Sequence, residues 1–238
     1  MRRSLPAAKR RQTVSSVASV LPVRGLPASV SDLLFARQGS GNVTGRSARL
    51  YLITPARPDL APFLEAAVRG GVDMVQVRER QLPDRELLRV LEEAREVTKR
   101  LGVPLVVNDR PDLAVLCGAD FVHVGKEDLP VDAARRFGVG VGLSTHAPRE
   151  IDAADADYIG VGPVYATPTK EGRAAVGLDL VRYAAERARV PWFAIGGIDA
   201  SNVRDVVASG ATGVAVVRAI GEASDPEGAA AELRRALP

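Results

Sequence analysis

From Arg49 onward the chain alternates between two hydrophobic patterns. Short apolar segments rich in β-branched residues recur every few tens of residues: "ARLYLIT", "DMVQVRE", "PLVVND", "DFVHVG", "GVGLS", "DYIGVGP", "WFAIGG" and "GVAVV". Such near-continuous apolar runs predict strands buried on both faces, as in parallel sheets. Between them apolar residues fall three and four apart, as in "PDRELLRVLEEAREVTKRLG", which predicts a helix opening after Pro83 and closing at Gly102. The junctions repeat as well. In "RGGVDMVQV", "LCGADFVHV", "DADYIGV" and "SGATGVAVV" a helix ends at Gly or a small residue and a strand follows at once.

Eight strands alternating with helices in about 190 residues predict a compact (β/α)8 TIM barrel. A doubly wound open sheet would need a Gly-rich turn after its first strand, and "LYLITPARPDL" offers none. The expected organisation is therefore a single domain, residues 48–238, behind an N-terminal extension, residues 1–47. The extension is rich in Ser, Arg, Gly and Pro, and is expected to be disordered. Its poverty in acids resembles a transit peptide, but without an amphipathic helix of convincing length a dispensable extension is the preferred reading.

Charge changes this picture in one respect. The net charge of +3 suggests a nucleic-acid partner, yet residues 1–47 hold eight of the 32 basic residues and one of the 29 acids. The remainder is net acidic, which argues against a nucleic-acid surface on the barrel. The single cysteine, Cys117, excludes an internal disulfide and fits a cytoplasmic protein. No apolar run is long enough to cross a bilayer, so no membrane partner is expected. A homo-oligomer is compatible with all of this.

Chemistry in a TIM barrel belongs at the C-terminal strand ends. Gln76, Arg78 and Arg80 alternate in "VQVRER" and would project to one side if the strand continued, two guanidiniums and an amide suited to a polyanion. Glu79 and Asp84 are near enough in sequence to neutralise them instead. Asn108 and Asp109 end strand three, and Asp128 follows strand four. The two carboxylates make a poor all-protein cage but a good seat for Mg²⁺ that shares the oxygens of a diphosphate. Ser144 ends strand five as a hydrogen-bond donor, beside Thr145 and His146. The sixth loop, "VGPVYATPTKEGRAAVG", brings Thr167, Thr169 and Lys170, and it is long for a βα connection. Gly196 and Gly197 after strand seven suit backbone approach to a phosphate. His123 is read as a hydrogen-bonding residue of the barrel interior, and Cys117 as packed and inert.

These residues carry a resemblance. "VQVRER", "VNDRPDLAVLCGADFVHVGKEDLP", "GLSTH", "YIGVGPVYATPTKEGRAAVGLDLV" and "FAIGGI" resemble, in order, the motif series of the thiamine-phosphate synthase family. Its members join a (4-amino-2-methylpyrimidin-5-yl)methyl diphosphate to a thiazole phosphate, giving thiamine monophosphate and pyrophosphate. The resemblance implies that Asp109 and Asp128 bind Mg²⁺, and that Arg78, Asn108, Ser144 and Lys170 handle the diphosphate. It also implies that Gln76 seats the pyrimidine, that Thr167 and Thr169 contact a phosphate, and that Gly197 and the backbone near Val217 complete the thiazole-phosphate pocket. Arg80, Lys126 and Arg218 depart from the commonest pattern; Arg80 keeps its charge, Lys126 and Arg218 add positive charge at the rim, and Arg80 and Arg218 are expected to contact substrate. A thiazole tautomerase shares this barrel but tends to lose the acids, both kept here. A non-catalytic precursor-binding barrel is the alternative of another class.

Overall fold

The fold is described from a computed structural model, for residues 48–166 and 175–238. The expected disorder of residues 1–47 lies outside the described residues. Eight parallel strands close into a barrel in sequence order, β1(Leu50–Thr54), β2(Met74–Val77), β3(Leu105–Asn108), β4(Phe121–Val124), β5(Gly140–Thr145), β6(Tyr158–Val161), β7(Trp192–Ile195) and β8(Val214–Val216). Each pairs with its chain neighbours, and β8 closes on β1. The helices that pack outside include α1(Leu60–Arg69), α2(Asp84–Leu101), α3(Pro111–Cys117) and α4(Val131–Arg135). They continue with α5(Pro148–Asp152), α6(Gly177–Arg187), α7(Val203–Ala208), α8(Arg218–Gly221) and α9(Pro226–Ala236).

The period of two along each strand sorts the core into two layers. Leu50, Leu52, Val75, Val77, Leu105 and Val107 pack with the helices, around Leu64, Leu91 and Leu233. Their alternates Tyr51, Ile53, Met74, Val106, Phe121, Tyr158, Phe193 and Ala215 form a separate buried cluster inside the barrel. Burying both faces explains why the strands read as unbroken apolar runs.

The repeated helix-to-strand junction has a structural cause. Helix α2 ends at Gly102 in the left-handed conformation (φ 71°), which a residue without Cβ adopts at little cost. The acid before β2, β4 and β6 then caps the start of the strand before it. Asp73 accepts from the N–H groups of Arg49 and Leu50, Asp120 from Leu105, and Asp157 from Val141. The Asp of "GVD", "GAD" and "DAD" thus satisfies strand-end donors at the N-terminal end of the barrel, away from the chemistry.

Candidate functional site

On β2 to β5, moving one step along the inward face from the buried interior toward the C-terminal end, polar side chains take over. Met74 is followed by Gln76, Val106 by Asn108, Phe121 by His123, and Gly142 by Ser144. Asn108 and His123 are register partners on β3 and β4. Thr145 lies on the opposite face of β5, its hydroxyl donating to the Gly160 carbonyl. One cavity of about 320 Å³ opens at this level, a size suited to a small-molecule site.

Gln76, Arg78, Asn108 and Ser144 line this cavity on one side, and Gly197, Val217 and Arg218 line it on the other. Arg78 donates through Nη1 to Asn108 Oδ1 at 2.8 Å. That bond orients the amide, and Asn108 Nδ2 is left buried with no partner among the described residues. Burial and the neighbouring Arg80 push the Arg78 guanidinium down, while Asp109 and Asp128 oppose this.

Arg80 stands apart from that wall. Strand β2 ends at Val77; the Arg78 N–H still donates to the Thr54 carbonyl, whereas the Arg80 N–H turns to the Glu79 carboxylate and the alternation is lost. Its largely exposed guanidinium pairs with Asp109 Oδ2 at 2.8 Å. Glu79 and Asp84 do not neutralise the arginines as their spacing allowed. Glu79 accepts from the backbone N–H groups of Arg80 and Gln81, and Asp84 pairs with Arg110.

Asp109 and Asp128 face each other beside the cavity. Asp109 has a positive φ of 62°, a conformation that Asp tolerates better than most residues. Its backbone N–H donates to the His123 carbonyl. Burial, with the Asp128 carboxylate next to it, holds its carboxyl above the ordinary range, and Arg80 opposes the shift. Asp128 Oδ2 accepts from the Gly125 N–H at 2.8 Å. Among the described residues no group of three or more His, Cys, Asp and Glu is placed to hold a metal ion. The two carboxylates are hard oxygen donors brought together against their mutual repulsion, and this fits a divalent ion whose other ligands are water and substrate oxygens.

The stems of the sixth loop are fixed at both ends. Val164 and Tyr165 donate to the carbonyls of Ile195 and Gly196. Val176 and Gly177 donate back to Pro163 and Val164. Gly197 (φ 64°) permits this approach, since a Cβ there would lie 2.8 Å from Tyr165 Cβ and 2.9 Å from the Ala166 carbonyl oxygen. Thr167, Thr169, Lys170 and Arg173 lie outside the described residues.

His123 is a hydrogen-bonding residue of the barrel interior, as its place in the strand predicts. Its Nδ1 pairs with the Tyr158 hydroxyl at 3.0 Å and its Nε2 with Ser144 Oγ at 2.9 Å, and it also lines the cavity. The inward parity of "FVH" already carried that signal. His146 lines the cavity too, with Nδ1 against the Gly162 carbonyl. Asp199 and Glu222 join them in the walls; in sequence they read as ordinary loop acids, and only loop packing places them. Cys117 is buried, and burial raises its thiol.

The family match and the relatives in sequence agree with each other. A family described as thiamine monophosphate synthase matches residues 50–220. A thiamine-phosphate synthase of Arthrobacter sp. (strain FB24) is 50% identical over 223 residues, covering 80% of this chain and 94% of the relative. One from Thermobifida fusca is 52% identical over 203 residues, covering 80% and 93%. The solved structure of a thiamine phosphate pyrophosphorylase from Pyrococcus furiosus superposes with a TM-score of 0.74 at 30% identity, covering 87% of this chain and 97% of that one.

Proposed function

The chain belongs to the thiamine monophosphate synthase family, and on that premise we propose how its barrel mouth performs the family's transfer. It is a transferase of thiamine biosynthesis. The substrates are (4-amino-2-methylpyrimidin-5-yl)methyl diphosphate and 4-methyl-5-(2-phosphoethyl)thiazole. The thiazole nitrogen forms a bond to the pyrimidine methylene carbon, the carbon–oxygen bond to the diphosphate breaks, and its electron pair leaves with pyrophosphate. Thiamine monophosphate remains.

The observation that carries this reading is the single cavity in which Gln76, Arg78, Asn108 and Ser144 face Gly197, Val217 and Arg218. One wall is rich in donors and suits a diphosphate, and the other brings glycines from the loop after β7, where barrels often take a phosphate. Arg78 balances charge on the departing group, and Asn108 Nδ2, without a partner among the described residues, gains an acceptor when a phosphate oxygen arrives. Ser144 donates to the same group, Gln76 seats the pyrimidine, and Gly197 with the backbone near Val217 holds the thiazole phosphate. Arg80 orients Asp109 through its ion pair, and Arg218 adds positive charge at the thiazole end. Asp109 and Asp128 would hold Mg²⁺, which supplies counter-charge to the diphosphate oxygens. No protein nucleophile is required.

Thr167, Thr169 and Lys170 complete the set from the sixth loop, whose stems leave the strand end beside this cavity. Residues 48–238 form the catalytic domain and residues 1–47 an accessory extension. The single cysteine supports a cytoplasmic location. No helix among the described residues is long and apolar enough to cross a membrane.

The test is to incubate the purified protein with both precursors and Mg²⁺ and to measure thiamine monophosphate and pyrophosphate in equal amounts. Asp109→Ala and Lys170→Ala should each reduce turnover by at least about a hundredfold. No product from the wild type, or undiminished product from either variant, rejects the assignment.

A further inference from the structure

The barrel interior contains a continuous line of polar groups within its aromatic core. Gln76 Nε2 donates to the Tyr51 hydroxyl. The Tyr51 and Tyr158 hydroxyls meet at 2.9 Å, Tyr158 meets His123 Nδ1 at 3.0 Å, and His123 Nε2 meets Ser144 Oγ at 2.9 Å. The line crosses from β2 to β1, over to β6, then through β4 to β5. It begins and ends at residues of the cavity wall, while Tyr51 and Tyr158 are buried below it.

Its surroundings leave these groups little freedom. Tyr158 packs edge-on against Phe121 and Phe193, with ring centroids 5.8 Å apart in both cases. Tyr51 packs on Phe193 at 5.2 Å. At Gly142 an added Cβ would lie 2.1 Å from the Tyr158 ring, so the glycine makes the space for that phenol. Burial pushes both phenols up, and each remains a neutral hydroxyl with one proton to give.

We propose that Gln76, Tyr51, Tyr158, His123 and Ser144 form one polarised hydrogen-bond relay, in which the Gln76 amide sets the direction of every proton and His123 positions the Ser144 hydroxyl. The direction follows from counting donors. Tyr51 accepts from the Gln76 amide and gives its one proton to Tyr158. Tyr158 then gives its own to His123 Nδ1, which must be an acceptor. The neutral ring carries its proton on Nε2 and donates to Ser144 Oγ. Ser144 consequently directs its O–H away from His123, as a donor to an oxygen in the cavity. The opposite direction would put the Gln76 carbonyl at Tyr51 and would spend the serine proton on His123.

The consequence rests on the proposed reaction: the amide that seats the pyrimidine is coupled, through three other groups, to the hydroxyl that meets the diphosphate. His123, Tyr51 and Tyr158 are thus positioning residues. The relay selects for one substrate, since the thiazole phosphate is held by the opposite wall.

The test is ¹⁵N NMR of the histidine side chains in the full-length protein. The chain has two histidines, so His146→Gln assigns the spectrum. His123 should show a pyrrole-type Nε2 and a pyridine-type Nδ1. The reverse pattern overturns the relay direction. Tyr51→Phe keeps the ring but cuts the line, and His123 should then lose its single-tautomer pattern. The KM for the pyrimidine diphosphate should rise about tenfold with that for the thiazole phosphate unchanged. Unchanged His123 signals and KM values in this variant also overturn the proposal. Tyr158→Phe carries the same expectations and replaces Tyr51→Phe if that variant does not fold. A wild type that makes no thiamine monophosphate rejects the reaction, whereas an active wild type with the reversed tautomer rejects the relay alone.

Discussion

Arg78 holds Asn108 in one orientation: its Nη1 donates to Asn108 Oδ1 at 2.8 Å, and the amide nitrogen is left buried without a partner among the described residues. A buried donor with no acceptor costs roughly 1–3 kcal/mol. A substrate oxygen that reaches the cavity supplies the acceptor.

Asn108→Ala should therefore lower kcat/KM for the pyrimidine diphosphate by about ten- to a hundredfold. It should alter the melting temperature little, because the lost bond to Arg78 is offset by removal of the orphan donor. Steady-state kinetics with a thermal melt check both halves. A large fall in stability with unchanged kinetics would assign Asn108 to the fold alone.

Gly142→Ala tests the interior packing. The new Cβ would fall within 2.1 Å of the Tyr158 ring, and overpacking of this kind costs about 1–3 kcal/mol. Urea unfolding should show that loss, and activity should drop as Tyr158 shifts from His123. Equal stability and activity in the variant would mean that the ring has room to move.

Arg110 provides a pH prediction. It donates to Asp84 at 2.7 Å and to Asp112 at 2.7 Å, tying the loop after β3 to the start of α2. Both carboxyls are held below their ordinary value of 3.8, chiefly by these hydrogen bonds. A carboxyl lowered on folding contributes stability that is present above its unfolded pKa and is lost as pH falls through the folded value. The melting-temperature gap between wild type and Arg110→Ala should be constant near neutrality and shrink below about pH 3.8. A gap that stays constant into that acid range would show that the pair contributes nothing through ionisation.

Deleting residues 1–44 should leave turnover of the remaining chain intact, because every cavity residue named lies beyond them. Steady-state assay of the folded, truncated protein is the check. A large loss of kcat would show that the extension takes part in the reaction.

The alternation of apolar runs and helical repeats was enough to specify eight strands, their order and the helix boundaries at Pro83 and Gly102. These follow from local periodicity and chain-neighbour pairing, which a parallel barrel preserves. Period-two parity also carried Gln76, Asn108 and Ser144 to the inward face of the C-terminal ends.

What sequence could not supply were relations across the barrel. Tyr51 and Tyr158 look like ordinary strand aromatics, and they meet only because closure brings β1 opposite β6. Arg80 reads as equivalent to Arg78, yet the Arg78 N–H still donates to the Thr54 carbonyl beside β1 while Arg80 lies beyond that contact and turns to Asp109. Asp73, Asp120 and Asp157 read as junction residues, and their role as caps appears only when each meets the end of the preceding strand. Local pattern determined which way each side chain faces; closure of the barrel decided which residues it meets there.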